Sequence, residues 1–276
     1  MLSRRKLILG APLLLAPKLQ VGCQTNAWPI TPGDFAQFLT VIERVRKLGF
    51  SGFETSFRNV QDRFDGAGAA RAQIGKAGGG FLGVHIFLPE YDPETAIAPW
   101  DLLSRVADGG SALGAQRMIV SGRAVSGAAA IGRKAGALNR AGAYCRKRGL
   151  GFAYHNHNFE FAGGGAEIEA LLDQTDPALV HLALDAGHAY VGGVSVAVFF
   201  ARHHRRIQVI HLRDFRAGKQ VPLGQGEFDL GPLAGAIRKS EWAGWLVNEE
   251  ERPNDVRPGD AVVEPARNHV RKIFGV

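Results

Sequence analysis

One short segment concentrates side chains that could do chemistry, namely His155, Asn156, His157, Asn158 and Glu160. It follows an apolar run with the pattern of a strand and precedes three consecutive glycines. A buried strand gains nothing from two imidazoles, two amides and a carboxylate, because an unpaired buried polar group is costly. The end of a strand that supplies a ligand site does need such groups. We therefore expect this segment to line a functional site.

Three later predicted strands end in side chains of the same kinds. Asp185 and His188 follow the sixth strand, His211 lies near the end of the seventh, and Glu249 ends the eighth. Asp185 could merely cap the helix that follows it, and a lone histidine is often a satisfied core residue. The recurrence of these residue types at four strand ends favours a shared site.

Carboxylates with an imidazole suit a divalent cation such as Mn²⁺, Mg²⁺, Co²⁺ or Zn²⁺. A Glu, Asp, His and Glu set from strands five to eight would leave positions open for substrate oxygens. Such an ion can hold a carbonyl beside a hydroxyl and stabilise the enediolate that forms when an α-proton leaves.

Glu249 begins a run of three glutamates that could be a solvated charge cluster. Successive strand residues point to opposite faces, so Trp245, Val247 and Glu249 share one face and Glu250 lies on the other. This alternation favours Glu249 as the site residue.

Other predicted strand ends carry candidate substrate contacts. We predict this role for Gln24, Trp28, Glu54, His85 and Arg213. A structural role stays open for Glu54 and His85.

The elements that must position these residues alternate between apolar strands and amphipathic helices. Eight such units repeat at intervals of roughly 30 residues, as in a chain of parallel strands with helical crossovers. We predict a single (β/α)8 TIM barrel, with its active site at the C-terminal strand ends. An open doubly wound sheet is the alternative, disfavoured because no Gly-x-Gly-x-x-Gly follows the first strand. The predicted strands lie at 19–24, 52–55, 81–87, 117–120, 151–155, 179–184, 206–212 and 245–248.

Composition limits the class of protein. The 276 residues are 46% hydrophobic and 21% charged, which is enough apolar material for one large core. Three of the seven net positive charges lie in Arg4, Arg5 and Lys6, so the remaining basicity is weak evidence for a nucleic-acid partner. Cys23 and Cys145 form neither a disulfide framework nor a zinc motif.

Residues 1–18 have the pattern of an export signal. Arg4 and Arg5 follow a serine and precede an apolar stretch too short to span a bilayer, which resembles a twin-arginine signal. We predict periplasmic export of a barrel at 19–276, with no membrane segment in the mature protein. The alternative is a basic apolar helix that docks on the barrel, which would leave the protein cytoplasmic.

Five motifs in series resemble the sugar-phosphate isomerase/epimerase family, the xylose-isomerase-like TIM barrels that include inosose dehydratase. They lie at 154–161, 184–189, 209–214, 222–229 and 244–249, across the C-terminal half of the chain. The resemblance implies isomerisation, epimerisation or dehydration of a sugar, keto-sugar or cyclitol by proton abstraction next to a carbonyl.

The resemblance also implies one divalent metal ion, with Mn²⁺ favoured, held by Glu, Asp, His and Glu. Asp185, His211 and Glu249 match the last three of these ligands. At the first position the sequence departs from the family, because His155 stands where many relatives have glutamate. Either His155 replaces that ligand or Glu160 reaches back from the loop, and we favour Glu160.

With Glu160 as the ligand, His155, His157 and His188 become candidates for proton transfer or substrate contact. The expected partner is a small carbohydrate, without nucleic acid, and homo-oligomerisation stays open. Two other functions remain possible on such a barrel: a zinc phosphodiesterase similar to endonuclease IV, and a sugar-binding protein without catalysis.

Overall fold

The computed structural model describes residues 19–250 and 259–276, so the predicted export signal at 1–18 lies outside the described residues. Eight parallel strands close into a barrel, and a small antiparallel hairpin follows the seventh of them. The barrel strands are Gln20–Gln24 (β1), Gly52–Ser56 (β2), Gly80–Ile86 (β3), Arg117–Val120 (β4), Gly151–His155 (β5), His181–Asp185 (β6), Ile207–Leu212 (β7) and Trp245–Asn248 (β10). The hairpin pairs Asp214–Arg216 (β8) with Lys219–Val221 (β9).

Neighbouring barrel strands follow the order β1-β10-β7-β6-β5-β4-β3-β2, and β1 pairs with β2 to close the ring. The predicted (β/α)8 barrel is therefore confirmed, and the alternative of an open doubly wound sheet is wrong. Strand register already brings candidate residues together, since Asp185 pairs with His211. The backbone N–H of Glu249 donates to the carbonyl of Leu212, which places Glu249 one residue beyond Asn248 on the same edge.

Helices surround the barrel and bury their apolar faces against it. In the first helix, Phe35, Phe38 and Ile42 recur at helical spacing and are buried, and Asp34 caps the helix by accepting a hydrogen bond from the N–H of Gln37. No helix in the described part of the chain is long and apolar enough to cross a membrane. The helices are Phe35–Lys47 (α1), Ala67–Ala77 (α2), Trp100–Leu113 (α3), Ala128–Arg146 (α4), Ala162–Gln174 (α5), Ala186–Val191 (α6), Val196–His203 (α7), Gly231–Ser240 (α8) and Asp260–Phe274 (α9).

The interior of the barrel is closed by a compact apolar floor, separate from the larger core between sheet and helices. Seven buried side chains form this floor, and its largest member is Trp245. Because side chains on one strand face recur every second residue, the positions two residues beyond Ile119, Ala153, Ala183, Val209 and Val247 also point inward. Those positions lie at the C-terminal strand ends. The floor consists of Leu82, Ile119, Ala153, Ala183, Val209, Trp245 and Val247.

Candidate active site

The candidate site lies directly above the apolar floor. On four strands its residues are one inward-facing position further along than the floor residues. Four strands change there from an apolar residue to one that can ligate a metal. The pairs are Ala153 and His155, Ala183 and Asp185, Val209 and His211, and Val247 and Glu249.

These four polar side chains form a compact buried group. The atoms that each could offer to a metal lie within 4.8 Å of one another, and all four residues are buried. Nε2 of His155 lies 3.5 Å from Oδ2 of Asp185 and 3.4 Å from Oε2 of Glu249. Nδ1 of His211 lies 2.6 Å from Oε2 of Glu249. The group therefore presents two imidazole nitrogens and two carboxylate oxygens to one point, as a metal site does.

None of these four atoms makes a hydrogen bond of good geometry to a described residue; their close contacts are ion pairs with one another and with Arg213. A buried polar atom without a hydrogen bond is unfavourable, so four of them facing one point call for an additional partner. A divalent cation with nitrogen and oxygen ligands meets that need. The residues present therefore fit a metal ion.

Asp185 serves two purposes in this group. Its Oδ1 accepts a hydrogen bond from the backbone N–H of His188 at 2.7 Å and so caps α6, while Oδ2 faces the other ligands. Asn156 holds the backbone of Asp185 from β5, accepting from its N–H at 2.9 Å and donating to its carbonyl at 3.1 Å. Asp185 therefore caps α6 with one carboxylate oxygen, and the other oxygen stays available for the predicted site role.

Glu160 lies outside this group, which corrects our choice between Glu160 and His155. A short 3-10 turn at Phe159–Phe161 directs the Glu160 side chain away from the barrel axis. There its carboxylate accepts hydrogen bonds from the Tyr154 hydroxyl and from the N–H of His157, and Nζ of Lys134 lies 3.6 Å away. With Glu160 held in this way, His155 provides the fourth possible ligand.

Arg213 joins the two carboxylates of the group from one side. Its Nε lies 2.6 Å from Oδ2 of Asp185, and its Nη2 lies 2.7 Å from Oε1 of Glu249. Burial opposes charge on both carboxyls, but Arg213 outweighs it and holds both pKa values below their ordinary range. Both groups are therefore ionised near neutral pH, the state in which carboxylates bind metals.

A cavity of about 500 Å³ opens above the group, within the size range of small-molecule sites. His155 and Glu249 form part of its wall, together with three of the predicted substrate contacts: Gln24, His85 and Arg213. A sugar entering the cavity would meet amide, imidazole and guanidinium donors next to the possible metal position.

The other two predicted substrate contacts do not belong to the described lining of this cavity. Glu54 is fully buried behind it and contacts Gln24, His85 and His211. Trp28 is buried beside the start of α9, where its indole N–H donates to Oδ1 of Asp260 at 2.8 Å. Glu54 thus contacts site residues from behind the cavity, Trp28 contacts the start of α9, and the assignment of both as substrate contacts stays a prediction.

His157 and His188 lie at the side of the cavity. Their ring centroids are 5.1 Å apart, and His157 lines the cavity directly. Burial, together with His155 and His188, lowers the pKa of His157 to about 2, and burial also lowers the pKa of His188. Both rings are therefore neutral near pH 7, and each has a buried Nδ1 without a hydrogen-bond partner among the described residues. Neutral imidazoles with an available nitrogen can accept a proton.

Two residues that the sequence analysis did not assign to the site also contribute. Ser121 lies between the rings of two histidines, 3.0 Å from Nε2 of His85 and 3.4 Å from Nδ1 of His155. Lys134 lies fully buried in α4 and supports the loop after β5 through Glu160. The sequence carried one signal for Lys134, since it shares the buried side of α4 with Ala135, Leu138 and other small or apolar residues.

Comparison with known proteins agrees with this architecture. The family model of the xylose isomerase-like TIM barrel matches residues 42–273. Inosose dehydratase of Geobacillus kaustophilus (strain HTA426) is 28% identical over 155 residues, which cover 49% of this chain and 50% of that protein. The chain thus spans about half the length of the curated relatives it matches.

Solved structures share the fold over nearly the whole chain. A sugar phosphate isomerase/epimerase from Parabacteroides distasonis ATCC 8503 has a TM-score of 0.71 at 20% identity, covering 95% of this chain and 96% of that one. An L-ribulose 3-epimerase has a TM-score of 0.75 at 15% identity, covering 94% and 95%. Identities this low show the fold alone, whereas the family model matches most of the chain. The resemblance expected from the five motifs is confirmed, and the chain belongs to the xylose isomerase-like TIM barrel family.

Proposed function

We propose that this protein is a divalent-metal-dependent isomerase, epimerase or dehydratase that acts on a sugar, keto-sugar or cyclitol. The observation that carries the proposal is the convergence of four buried ligand atoms, all within 4.8 Å of one another, at the base of a polar cavity. Relatives named inosose dehydratase and a structural neighbour named L-ribulose 3-epimerase support a substrate of this class.

His155, Asp185, His211 and Glu249 would hold the ion. We favour Mn²⁺, with Co²⁺, Zn²⁺ and Mg²⁺ as alternatives; the second imidazole in place of a carboxylate makes Mg²⁺ the least suited of these. When bound, the ion polarises a substrate carbonyl and stabilises the negative charge that develops as the adjacent proton leaves.

The protein's own residues then orient the substrate and move the proton. Gln24, His85 and Arg213 line the cavity and offer donors to sugar oxygens. His157 is the base in this proposal because of its position, since its neutral ring lines the cavity and its buried Nδ1 has no hydrogen-bond partner among the described residues. His188, also neutral, packs against the His157 ring and can return the proton to another carbon or to a leaving hydroxyl.

The test is exchange of the α-proton of a keto-sugar with solvent deuterium, followed by NMR. D-fructose, L-ribulose and an inosose are incubated with Mn²⁺-loaded protein, with EDTA-stripped protein and with Asp185→Asn. We expect exchange only with the loaded wild type, and Asp185→Asn should retain no stoichiometric metal. Asp173→Asn, an exposed aspartate of α5, serves as the matched control and should behave as wild type. Equal exchange by stripped and loaded protein would disprove the proposal.

The alternative of a zinc phosphodiesterase similar to endonuclease IV makes a different prediction, namely several zinc ions in each chain. Residues 19–250 and 259–276 hold one group of the required kind, which supports a single ion. Metal stoichiometry and a nicking assay on abasic DNA decide between the two. The third possibility, sugar binding without catalysis, predicts saturable binding without deuterium incorporation.

A further inference from the structure

A second cavity adjoins the one above the ligand group. It has a volume of about 710 Å³ and shares Phe87 and His157 with the first cavity. Its remaining wall is formed largely by the segment between β3 and α3 and includes Leu88, Pro89 and Tyr91. A ligand that fills the first cavity therefore has a neighbouring space into which a substituent can extend.

Phe87 stands at the junction of the two cavities with an unusually exposed side chain. It follows β3 directly, and 46% of its surface is exposed. Its backbone is fixed, because Nη1 of Arg58 donates to its carbonyl at 2.9 Å. In the described part of the chain, Phe87 and Val198 are the exposed large hydrophobic side chains, and only Phe87 lines a cavity of the site. An aromatic ring left exposed at a ligand site on a fixed backbone indicates a binding platform.

Two further rings extend this platform into the second cavity. The His157 ring centroid lies 5.7 Å from that of Phe87, and the rings of His157 and Phe159 are stacked at 5.3 Å with an interplanar angle of 14°. Phe87, His157 and Phe159 all line the second cavity. Aromatic faces of this kind pack well against another ring, whether an aryl group or the apolar face of a sugar.

The opposite wall is held in place by hydrogen bonds. Oδ1 of Asp92 accepts from the backbone N–H of Glu94 at 3.0 Å and from both the N–H and the hydroxyl of Thr95 at 2.8 and 2.9 Å. The guanidinium of Arg123 donates to the carbonyl of Pro93 at 2.6 Å. Arg123 thus holds the loop through one of its N–H groups, and this wall of the cavity is formed before a ligand binds.

We propose that the second cavity is a subsite for a ring attached to the reacting sugar, so that a glycoside binds in preference to a free monosaccharide. The inference rests on the proposed function, since it takes the first cavity as the place where the reacting sugar binds. The group that would bind in this subsite is an uncharged ring with an apolar face. An aryl group and a second sugar are its two possible sources.

Binding of three glycosides that share one sugar tests the subsite. Isothermal titration calorimetry on the Mn²⁺-loaded full chain would compare phenyl β-D-glucopyranoside, cellobiose and methyl β-D-glucopyranoside. We expect at least one of the two ring-bearing glycosides to bind about tenfold tighter than the methyl glycoside. If only phenyl glucoside binds more tightly than the methyl glycoside, the subsite takes an aryl group. If only cellobiose does, it takes a second sugar. Either result supports the subsite.

Phe87→Ala removes the platform, and its exposure means that the change should not unfold the protein. We expect it to reduce the ratio of ring-bearing to methyl affinity to about two or less, whereas Val198→Ala on α7 should leave the ratio unchanged. Equal affinities in the wild type, a ratio unaffected by Phe87→Ala, or no binding of any of the three would overturn the inference. Deuterium exchange from a free keto-sugar in the same preparation shows separately whether the proposed function holds.

Discussion

Oε2 of Glu54 lies 3.0 Å from Nε2 of His211, in a fully buried contact between β2 and β7. The other ring nitrogen of His211, Nδ1, faces Glu249 in the candidate metal group. Against the lowering effect of burial, Glu54 and Glu249 raise the pKa of the His211 ring to about 10. A metal would therefore bind at Nδ1 by displacing its proton, while Glu54 keeps the proton on Nε2. Glu54 therefore positions a ligand, and it does so from the opposite side of the barrel.

Glu54→Gln tests this positioning role. Glutamine keeps the volume and removes the charge, so His211 loses the strong acceptor that fixes its tautomer. We expect metal affinity to fall by about 10- to 100-fold, the usual effect of losing such a partner. Competition with a chromophoric chelator measures the change.

Glu43→Gln is the matched control, because Glu43 lies exposed on α1, and it should bind metal as wild type does. Unchanged metal affinity in Glu54→Gln would mean that the contact is only structural. Circular dichroism and a thermal unfolding curve show whether the variant folds.

His155 is the candidate ligand at which this chain departs from the family pattern, and two substitutions test its role. His155→Ala removes one of four donors, so we expect metal affinity to fall by about 100-fold or more. His155→Glu restores an oxygen donor at the position where many relatives have glutamate. It should retain metal and shift preference from Zn²⁺ toward Mg²⁺ and Mn²⁺, because carboxylates favour harder ions.

Both His155 variants are dialysed against Zn²⁺, Mn²⁺ and Mg²⁺ in competition. The metal content that each variant retains then measures its affinity and its preference. Stoichiometric metal in His155→Ala would show that His155 is not a ligand. An unchanged preference in His155→Glu would show that the residue at this position does not select the ion.

The sequence alone predicted the position of a side chain wherever the alternation along a strand determines which face it occupies. Asp185, His211 and Glu249 follow apolar strands whose alternation fixes the inward face, so they could be placed together without a structure. The same regularity predicted eight strands and a closed barrel.

Strand alternation does not predict the direction of a side chain that lies beyond the end of a strand. Glu160 lies in a turn beyond β5, and its direction depends on Lys134, which α4 supplies from 26 residues earlier in the chain. The local sequence around Glu160 does not reveal that partner. The contact of Trp28 could not be predicted for the same reason, because Asp260 of α9 lies 232 residues away along the chain.

Glu160 should make the stability of the protein depend on pH. Burial raises its pKa to about 7 against the lowering effects of Lys134 and of the Tyr154 hydroxyl. Because the unfolded carboxyl titrates near 4.5, the folded state binds the extra proton between about pH 4.5 and 7. Stability therefore falls as the pH rises through this window, by at most about 3 kcal/mol for this group.

Glu160→Gln removes this titration, so the difference in unfolding free energy between variant and wild type should grow in favour of the variant from pH 5 to pH 8. Urea unfolding at several pH values measures it, and Glu43→Gln, at the exposed glutamate of α1, is the control. A difference that stays constant with pH would contradict the raised pKa.

Lys134 is the cation on which this buried network depends. It is fully buried, and its Nζ lies 2.7 Å from Oε1 of Glu167, 2.8 Å from the carbonyl of Arg123 and 3.6 Å from Oε1 of Glu160. Lys134→Met keeps the aliphatic length but leaves the Glu167 carboxylate buried without its partner. We expect a loss of about 3–5 kcal/mol in unfolding free energy, measured by urea denaturation.

The double variant Lys134→Met with Glu167→Gln separates the loss of the ion pair from the loss of packing. Removing the unpaired charge should recover a large part of the stability, because most of the penalty in Lys134→Met comes from the isolated carboxylate. If the two substitutions were simply additive, Lys134 and Glu167 would not be coupled and the network would not depend on their contact. Because Glu160 holds the backbone N–H of His157 at 2.8 Å, loosening this network should also lower the rate of proton exchange from a keto-sugar more than it lowers metal affinity.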